Sequence, residues 1–243
     1  MLVSFRLSAG LRLAATILAV VLLLAVVNVV EKFGPRHAGL ILGPAVALAL
    51  VILARRHGLT WDCLGLSPRN VRHGLAWAVG VVLIVAGVYL IGAALPPTRA
   101  AFLDARYHLH PSAALLAALV VIPLGTVLLE EVAFRGVLLG LVNRYRGARW
   151  ASVSSSTLFG FWHVLPSLRL TRANAAAAAF FGAGVTGQAL SVLGAVAFTA
   201  LAGLLLCELR RRSGSLLASA ALHWATNGLG VVIATALWTI RIA

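Results

Sequence analysis

Long apolar stretches separated by short polar segments dominate the chain, and they predict membrane-spanning helices. Each stretch is roughly long enough to cross about 30 Å of hydrocarbon at 1.5 Å per residue. None shows the period-two alternation of a strand, so we predict an all-α fold: a polytopic transmembrane helical bundle of about seven spans, with six to eight compatible with the pattern. The stretches cover approximately residues 13–30, 38–54, 74–95, 112–142, 151–165, 189–207 and 215–238.

One segment, residues 172–188, does not fit this series of spans. It contains five successive alanines followed by FFGAGVTG, so it is apolar but broken by glycine. Three structures remain open for it: a re-entrant piece, a loop packed against the bundle, or the beginning of a longer sixth helix. No composition shift marks a second domain, and we expect residues 1–243 to form a single membrane-embedded domain.

Composition supports the membrane prediction. Apolar residues make up 61% of the chain and charged residues 11%, whereas a soluble domain carries about 25% charged residues. The mean hydropathy is +1.01. A soluble surface needs more charge than this chain offers, so we expect a multi-pass protein of the cell membrane, with membrane lipids as its surroundings.

The net charge of +14 raises the question of nucleic-acid binding, and its distribution argues against it. With the amino terminus in the cytoplasm, 12 of the 20 basic residues lie on the cytoplasmic side, seven lie outside and one lies within a span. This excess follows the positive-inside rule and places the carboxyl terminus outside. Anionic headgroups account for the charge more simply than nucleic acid does. The compact spans and short loops are typical of a bacterial protein.

Ionisable side chains at membrane depth are rare and cost at least a few kcal/mol each, so they are candidate functional residues. Glu130, His163, His223 and Asn227 all lie 11 to 15 residues along their helices from the nearest cytoplasmic arginine. This separation corresponds very roughly to 15–22 Å. Three separate helices thus bring a carboxylate, two imidazoles and a carboxamide to one level, which predicts a site there.

Helix geometry distinguishes the two adjacent glutamates of the fourth span. Residues four apart share a helix face, so we predict that Glu131 and Arg135 form an ion pair that makes both charges tolerable in the membrane. Glu130 points about 100° away from Glu131 and remains free for chemistry. The structural alternative for Glu130 is a hydrogen bond to a neighbouring helix.

The four-residue spacing also relates polar positions in other spans. It places Phe159 on the face of His163, and Asn227 on the face of His223. Two imidazoles level with an unpaired carboxylate favour a site over two buried packing histidines. Asn28, in the first span, has no partner that the pattern identifies, and we predict an interhelical hydrogen bond for it.

Three strings in these spans resemble the motifs of a known family. EEVAFR at residues 130–135 matches the EExxxR motif of the CAAX-protease and bacteriocin-processing family of intramembrane proteases, which includes type II CAAX prenyl endopeptidases. FGFWH at residues 159–163 matches its FxxxH motif, and HWATN at residues 223–227 matches its HxxxN motif. The order of the motifs and their rough separation match as well. The resemblance covers roughly residues 112–235, which would form the motif-bearing protease core.

This resemblance implies a CAAX-type intramembrane endopeptidase that acts on membrane-associated peptides or lipidated proteins. Bacterial relatives are linked to peptide maturation and to self-immunity against bacteriocins. Carried over by motif position, Glu130 and His163 would activate the attacking water, whereas His223 and Asn227 would stabilise the tetrahedral oxyanion. The supporting residues would be Glu131, Arg135 and Phe159.

Metal dependence stays open at this point. One glutamate and two histidines form the ligand set of several catalytic zinc sites, and Glu130, His163 and His223 would be the zinc ligands here. Water activation by a glutamate and a histidine without metal, next to a His/Asn oxyanion site, explains Asn227 equally well. We favour the metal-free chemistry slightly.

Two other classes of protein remain as alternatives to the protease. A catalytically silent scaffold of the same family would bind lipidated or helical partners, and it predicts that Glu130→Ala preserves partner binding. A proton-coupled transporter would use the glutamate and histidines as a relay, and it predicts gradient-driven flux that Glu130→Gln abolishes. We rank the scaffold above the transporter.

Overall fold

Each predicted apolar stretch becomes a helix, because a helix satisfies all of its backbone hydrogen bonds internally where water is absent. The structure is a computed structural model that describes residues 9–35, 37–182 and 184–242, and within these residues it has helices and turns but no strand. An isolated bridge joins Asp104 to Asn174. The prediction of an all-α polytopic bundle is confirmed.

The body of the fold consists of seven helices. Six of them are long and apolar enough to cross a membrane, whereas α5 has only 15 residues. The seven are α1 (Ala9–Phe33), α2 (Gly39–Arg56), α3 (Val71–Ala94), α4 (Pro111–Arg146), α5 (Ala148–Trp162), α6 (Gly184–Ser213) and α7 (Leu216–Ile240).

Short helical pieces connect these seven helices. Between α2 and α3 lie Trp61–Leu64 and the 3-10 turn Pro68–Asn70, and between α3 and α4 lie Pro96–Phe102 and the 3-10 turn Ala105–Tyr107. After α5 the chain forms the pieces Val164–Ser167, Leu170–Ala173 and Ala175–Phe181.

Arginines join the connecting segments at one end of the bundle, which we call the arginine-rich end. Arg144, at the end of α4, donates a 2.8 Å hydrogen bond to the carbonyl oxygen of His57. Arg210, at the end of α6, donates to the carbonyl oxygens of Asp62 and Cys63 at 2.8 and 3.0 Å. The α2–α3, α4–α5 and α6–α7 connections therefore meet at the same end.

The remaining connections meet at the opposite end. Asn174, which follows α5, donates to the carbonyl oxygen of Ala101, which follows α3. The indole of Trp238, late in α7, donates to the carbonyl oxygen of Asp104. Successive helices thus run alternately between the two ends, and α5 completes one of these passages although it is short. The count of about seven predicted spans corresponds to six long helices and this shorter one.

Residues 172–188, for which the sequence left three structures open, combine two of them. Leu170–Ala173 and Ala175–Phe181 form a connection that packs against the bundle, and the residues from 184 onward begin a longer sixth helix. The Gln188 amide donates to the carbonyl oxygen of Ser167 at 3.3 Å, which ties the beginning of α6 to this connection.

The helix α4 departs from regular α geometry around its glutamates. It contains π-helical stretches at Ala117–Val121, Pro123–Val127 and Glu131–Leu138, and α7 contains another at Ala225–Leu229. Pro123 has no N–H, so the regular hydrogen-bond ladder cannot continue through it. Single π turns inside α-helices occur frequently at functional sites.

Close packing of α2 against α4 fixes the helix that carries the glutamates. A Cβ added to Gly43 would lie 2.6 Å from the carbonyl oxygen of Leu124, a distance that no side chain tolerates. Nearby, the core is filled by Phe134 and Leu138 of α4 together with Leu24 of α1 and Leu50 of α2. Because the backbones of α2 and α4 touch, a side chain at position 43 would displace α4 and the glutamates that it carries.

Candidate active site

Three helices meet around a buried cluster of charged side chains. Glu130, Glu131 and Arg135 of α4 are 4%, 2% and 0% exposed, and His223 of α7 is 5% exposed. Helix α5 contributes Phe159, which is also buried. Charges at this depth are stable only when they compensate one another, so the contacts among these five residues define what the site can do.

Glu131 joins α4 to α7 through one carboxylate oxygen. Its Oε1 lies 3.2 Å from Nη1 of Arg135, so the predicted ion pair is confirmed. The same Oε1 lies 2.9 Å from Nδ1 of His223. A carboxylate only accepts, so Nδ1 of His223 must donate. Glu131 therefore fixes the orientation of the His223 ring as well as neutralising Arg135, a second contact that helix spacing did not predict.

Glu130 is held through one oxygen and free at the other. Its Oε1 accepts a 2.8 Å hydrogen bond from the indole Nε1 of Trp162. Its Oε2 is buried, has no hydrogen-bond partner among the described residues, and lies 3.7 Å from Nε2 of His223. The alternative that the sequence left open for Glu130, a hydrogen bond to a neighbouring helix, is thus realised at Oε1, whereas Oε2 makes no such bond with a described residue.

The ring of Phe159 packs against the side chains of one arginine and two histidines. The guanidinium carbon of Arg135 lies 3.9 Å from the centre of this ring, a cation–π contact. The imidazole of His223 meets the ring edge to face at 5.7 Å between centres, and that of His163 meets it at 4.7 Å. Phe159 thus contacts both histidines and the arginine. The contact with His163 follows from the four-residue spacing, whereas the other two join separate helices, which no count along one helix could show.

His163 lies at the carboxyl-terminal end of α5 and is partly buried. Its Nδ1 lies 2.8 Å from the carbonyl oxygen of Phe159, which can only accept, so Nδ1 donates. The neutral ring therefore keeps an unprotonated Nε2. Within residues 37–182, which include both side chains, His163 makes no hydrogen bond or ion pair with Glu130. The imidazole in contact with Glu130 is that of His223.

Asn227 lies one turn beyond His223, inside the π-helical stretch of α7. It is exposed, and its carboxamide makes no hydrogen bond with any described residue. The spacing placed Asn227 on the face of His223, but the structure leaves it at the rim of the charged cluster and outside its hydrogen-bond network.

The residues as arranged do not fit the zinc centre that the glutamate and two histidines suggested. Among the residues that the structure describes, no group of three or more His, Cys, Asp or Glu side chains is arranged to hold a metal ion. Nδ1 of His223 is bound to Glu131, and Nδ1 of His163 to a backbone carbonyl, so only Nε2 of each ring is left as a possible ligand. We therefore assign no metal ligands.

Two residues in contact with the site were not singled out as site residues by their sequence pattern. Trp162 binds Glu130, and Asn28 of α1 donates a 2.7 Å hydrogen bond to the carbonyl oxygen of Trp162. The predicted interhelical bond of Asn28 is thus confirmed, with its partner identified. Counting residues from the nearest cytoplasmic arginine could have indicated Asn28, which lies 16 residues after Arg12 and thus near the level of His163.

The comparison with known families agrees with the motifs. A family model described as type II CAAX prenyl endopeptidase, Rce1-like, matches residues 112–229, which contain all three motifs. Neither the curated proteins nor the solved structures contain a significant match. Long apolar helices together with this match define a multi-pass membrane protein of the CAAX-type intramembrane endopeptidase class. The match over residues 112–229 supports the family that the motifs indicated, the CAAX-protease and bacteriocin-processing family.

Proposed function

We propose that the protein hydrolyses peptide bonds of membrane-associated or lipidated substrates with a water molecule activated by Glu130, without a metal ion. One observation carries this proposal: Oε2 of Glu130 is buried and unpaired, whereas Oε1 is fixed by Trp162. A buried carboxylate oxygen without a donor is costly. A water molecule or a substrate group in that position would supply the missing partner, and a general base needs such a contact.

The proposed reaction begins with proton transfer from water to Oε2 of Glu130. The water oxygen attacks the scissile carbonyl carbon, and the carbonyl becomes a tetrahedral oxyanion. When the carbon–nitrogen bond breaks, Glu130 returns the proton to the leaving amine. In this proposal His163 assists the attacking water through its unprotonated Nε2, the role that its motif position implies.

His223 is proposed as a donor to the oxyanion. Its Nδ1 donates to Glu131, so a donor at Nε2 requires the doubly protonated ring, and the proposal assigns that form to His223 during the reaction. Nε2 lies 3.7 Å from Oε2 of Glu130, too far for a direct hydrogen bond. Reacting atoms could therefore lie between the two groups. Asn227, which is exposed and has no hydrogen-bond partner among the described residues, is proposed as the second donor.

The orientation in the membrane and the extent of the catalytic unit belong to the same proposal. We place the arginine-rich end in the cytoplasm, the carboxyl terminus outside, and the protein in a bacterial membrane, in accordance with the positive-inside rule. Residues 112–235 would be the protease core within a single domain of residues 1–243. Maturation of peptides or self-immunity against bacteriocins would be its cellular role.

The test is cleavage of a panel of fluorogenic lipidated peptides by the purified full-length protein. Glu130→Gln keeps the shape of the side chain and its acceptor for Trp162, and we expect it to lower the cleavage rate at least about 10³-fold. Glu208→Gln is the matched control, because Glu208 pairs with arginines on the surface of α6 and should retain the wild-type rate. Cleavage by Glu130→Gln at the wild-type rate would refute the proposed function.

A further inference from the structure

We infer that Trp162 and Asn28 are positioning residues of this active site, acting as a chain of hydrogen bonds that runs from α1 through α5 to Glu130. The inference rests on the proposed function, and it names two residues to which neither the motifs nor the family match gives a role. Trp162 would act by holding Oε1 of Glu130, and Asn28 by holding Trp162.

The first link determines which oxygen of Glu130 is the base. The indole N–H of Trp162 donates to Oε1 at 2.8 Å, and both side chains are buried. Hydrogen bonds to a charged acceptor are short and strong where water is excluded. With Oε1 held in this way, the carboxylate cannot rotate freely, and Oε2 is turned towards His223. Without the indole N–H, the two oxygens would be interchangeable and neither would be fixed.

The second link uses a backbone group that the end of α5 leaves free. The last carbonyl groups of a helix have no partner within it, and α5 ends at Trp162. The carboxamide of Asn28, itself 8% exposed, donates to the carbonyl oxygen of Trp162 at 2.7 Å. This bond spans 134 residues of sequence and fixes the end of α5 against α1.

Packing alone does not hold the indole on the side of α1. A cavity of about 150 Å³ lies between α1 and α5, and Asn28, Phe134 and Trp162 are among the residues that line it. On the side of α4, the ring of Phe134 meets the indole at 6.0 Å between centres. Trp162 thus borders free space that it shares with Phe134 and Asn28, and the hydrogen bonds at Nε1 and at its carbonyl oxygen add the directional restraint that packing on this side does not supply.

A consequence is that α1 contributes to the site although it lies outside the family match. The match covers residues 112–229, and Asn28 precedes it by more than 80 residues. The family motifs provide the reacting groups, and this chain supplies the support for Glu130 from its first helix.

The experiment measures kcat and KM separately, with a lipidated peptide that the wild type cleaves. We expect Trp162→Phe and Asn28→Ala each to lower kcat about tenfold to a hundredfold with KM changed less than about twofold, because a displaced base slows the chemical step and leaves substrate binding intact. The double variant should be no slower than the slower single variant, because both residues act through one chain.

Matched controls separate positioning from general loss of structure. Trp238 lies at the far end of α7, and Trp238→Phe removes its indole N–H, which donates to the carbonyl oxygen of Asp104. Thr16→Val removes a polar group of α1 that is as buried as Asn28. Both controls should retain the wild-type kcat. Replacing Trp162 by 3-benzothienylalanine, which keeps the ring shape but has sulfur in place of N–H, tests the donor without a change in packing. It should lower kcat as Trp162→Phe does.

The outcomes distinguish the two proposals. Two results would overturn the positioning role even if Glu130→Gln abolishes cleavage. One is a wild-type kcat in the benzothienyl variant, and the other is a double variant in which the effects of Trp162→Phe and Asn28→Ala on kcat multiply. If Glu130→Gln cleaves normally, the proposed function fails, and the positioning inference fails with it.

Discussion

Replacement of Arg135 by methionine is expected to lower the free energy of unfolding by about 4 kcal/mol, because it leaves a buried carboxylate without its cation. Arg135 has no exposed surface, and its partner Glu131 is 2% exposed. Removal of one member of such a buried pair typically costs about 3–5 kcal/mol. Methionine has a similar length and also packs well against aromatic rings, so the contact with Phe159 is partly preserved.

The structure also predicts how this loss is recovered. In the double variant Arg135→Met with Glu131→Gln, no uncompensated charge remains, and the glutamine oxygen can still accept from His223. We expect the free energy of unfolding to return to within about 1–2 kcal/mol of the wild type, since replacing both members of a buried pair is often nearly neutral. Activity should not return, because an amide can donate to Nδ1 of His223 as well as accept from it and so no longer fixes the ring in one tautomer; in the serine-protease triad the analogous change costs about 10⁴-fold in kcat.

The assay is unfolding in mixed detergent micelles with increasing dodecyl sulfate, followed by tryptophan fluorescence, together with peptide cleavage. Arg211→Met is the matched control: Arg211 pairs with Glu208 at 2.7 Å, but that pair is exposed, so unfolding should be unchanged. A single variant as stable as the wild type, or a double variant no more stable than the single, would refute the argument that this charge cluster is mutually compensating.

Two further predictions concern the metal and the membrane orientation. Dialysis against a strong chelator should leave the cleavage rate unchanged, because no group of three or more His, Cys, Asp or Glu side chains among the described residues is arranged to hold a metal ion; a loss that added zinc restores would contradict this. Cys63 is exposed at the arginine-rich end and Cys207 is buried, so a membrane-impermeant maleimide should label Cys63 in inside-out vesicles and not in intact cells. Labelling in intact cells would mean that the arginine-rich end faces outward.

The helices were predictable because burial in a membrane leaves a simple signal. The apolar runs identify α1 to α4, α6 and α7, and each observed helix extends a few residues beyond the predicted stretch, where arginines and other polar residues reach the interface. The ion pair between Glu131 and Arg135 was equally accessible, because it depends only on the four-residue period of a single helix. What lies within one helix could therefore be worked out from spacing.

Contacts between helices were predictable only in part, because they depend on rotation and tilt that the sequence does not contain. Depth counting placed Glu130, His163 and His223 at one level, but it could not show that His223 contacts both glutamates while His163 contacts Phe159. The π-helical stretch after Glu130 changes the direction of the following side chains, and no local pattern predicts its position. The partner of Asn28 was inaccessible for the same reason, because its bond to the carbonyl oxygen of Trp162 depends on where α5 ends.

The short length of α5 has a consequence for the supply of water. Its 15 residues span about 22 Å, whereas the hydrocarbon layer is about 30 Å thick. Local thinning of the bilayer is one way in which a membrane adapts to an element this short. Hydrolysis consumes one water molecule for each bond cleaved, and hydrocarbon is the barrier to its delivery. With such thinning, the helix end that frees the carbonyl of Trp162 for Asn28 would also shorten the path of water to the level of His163.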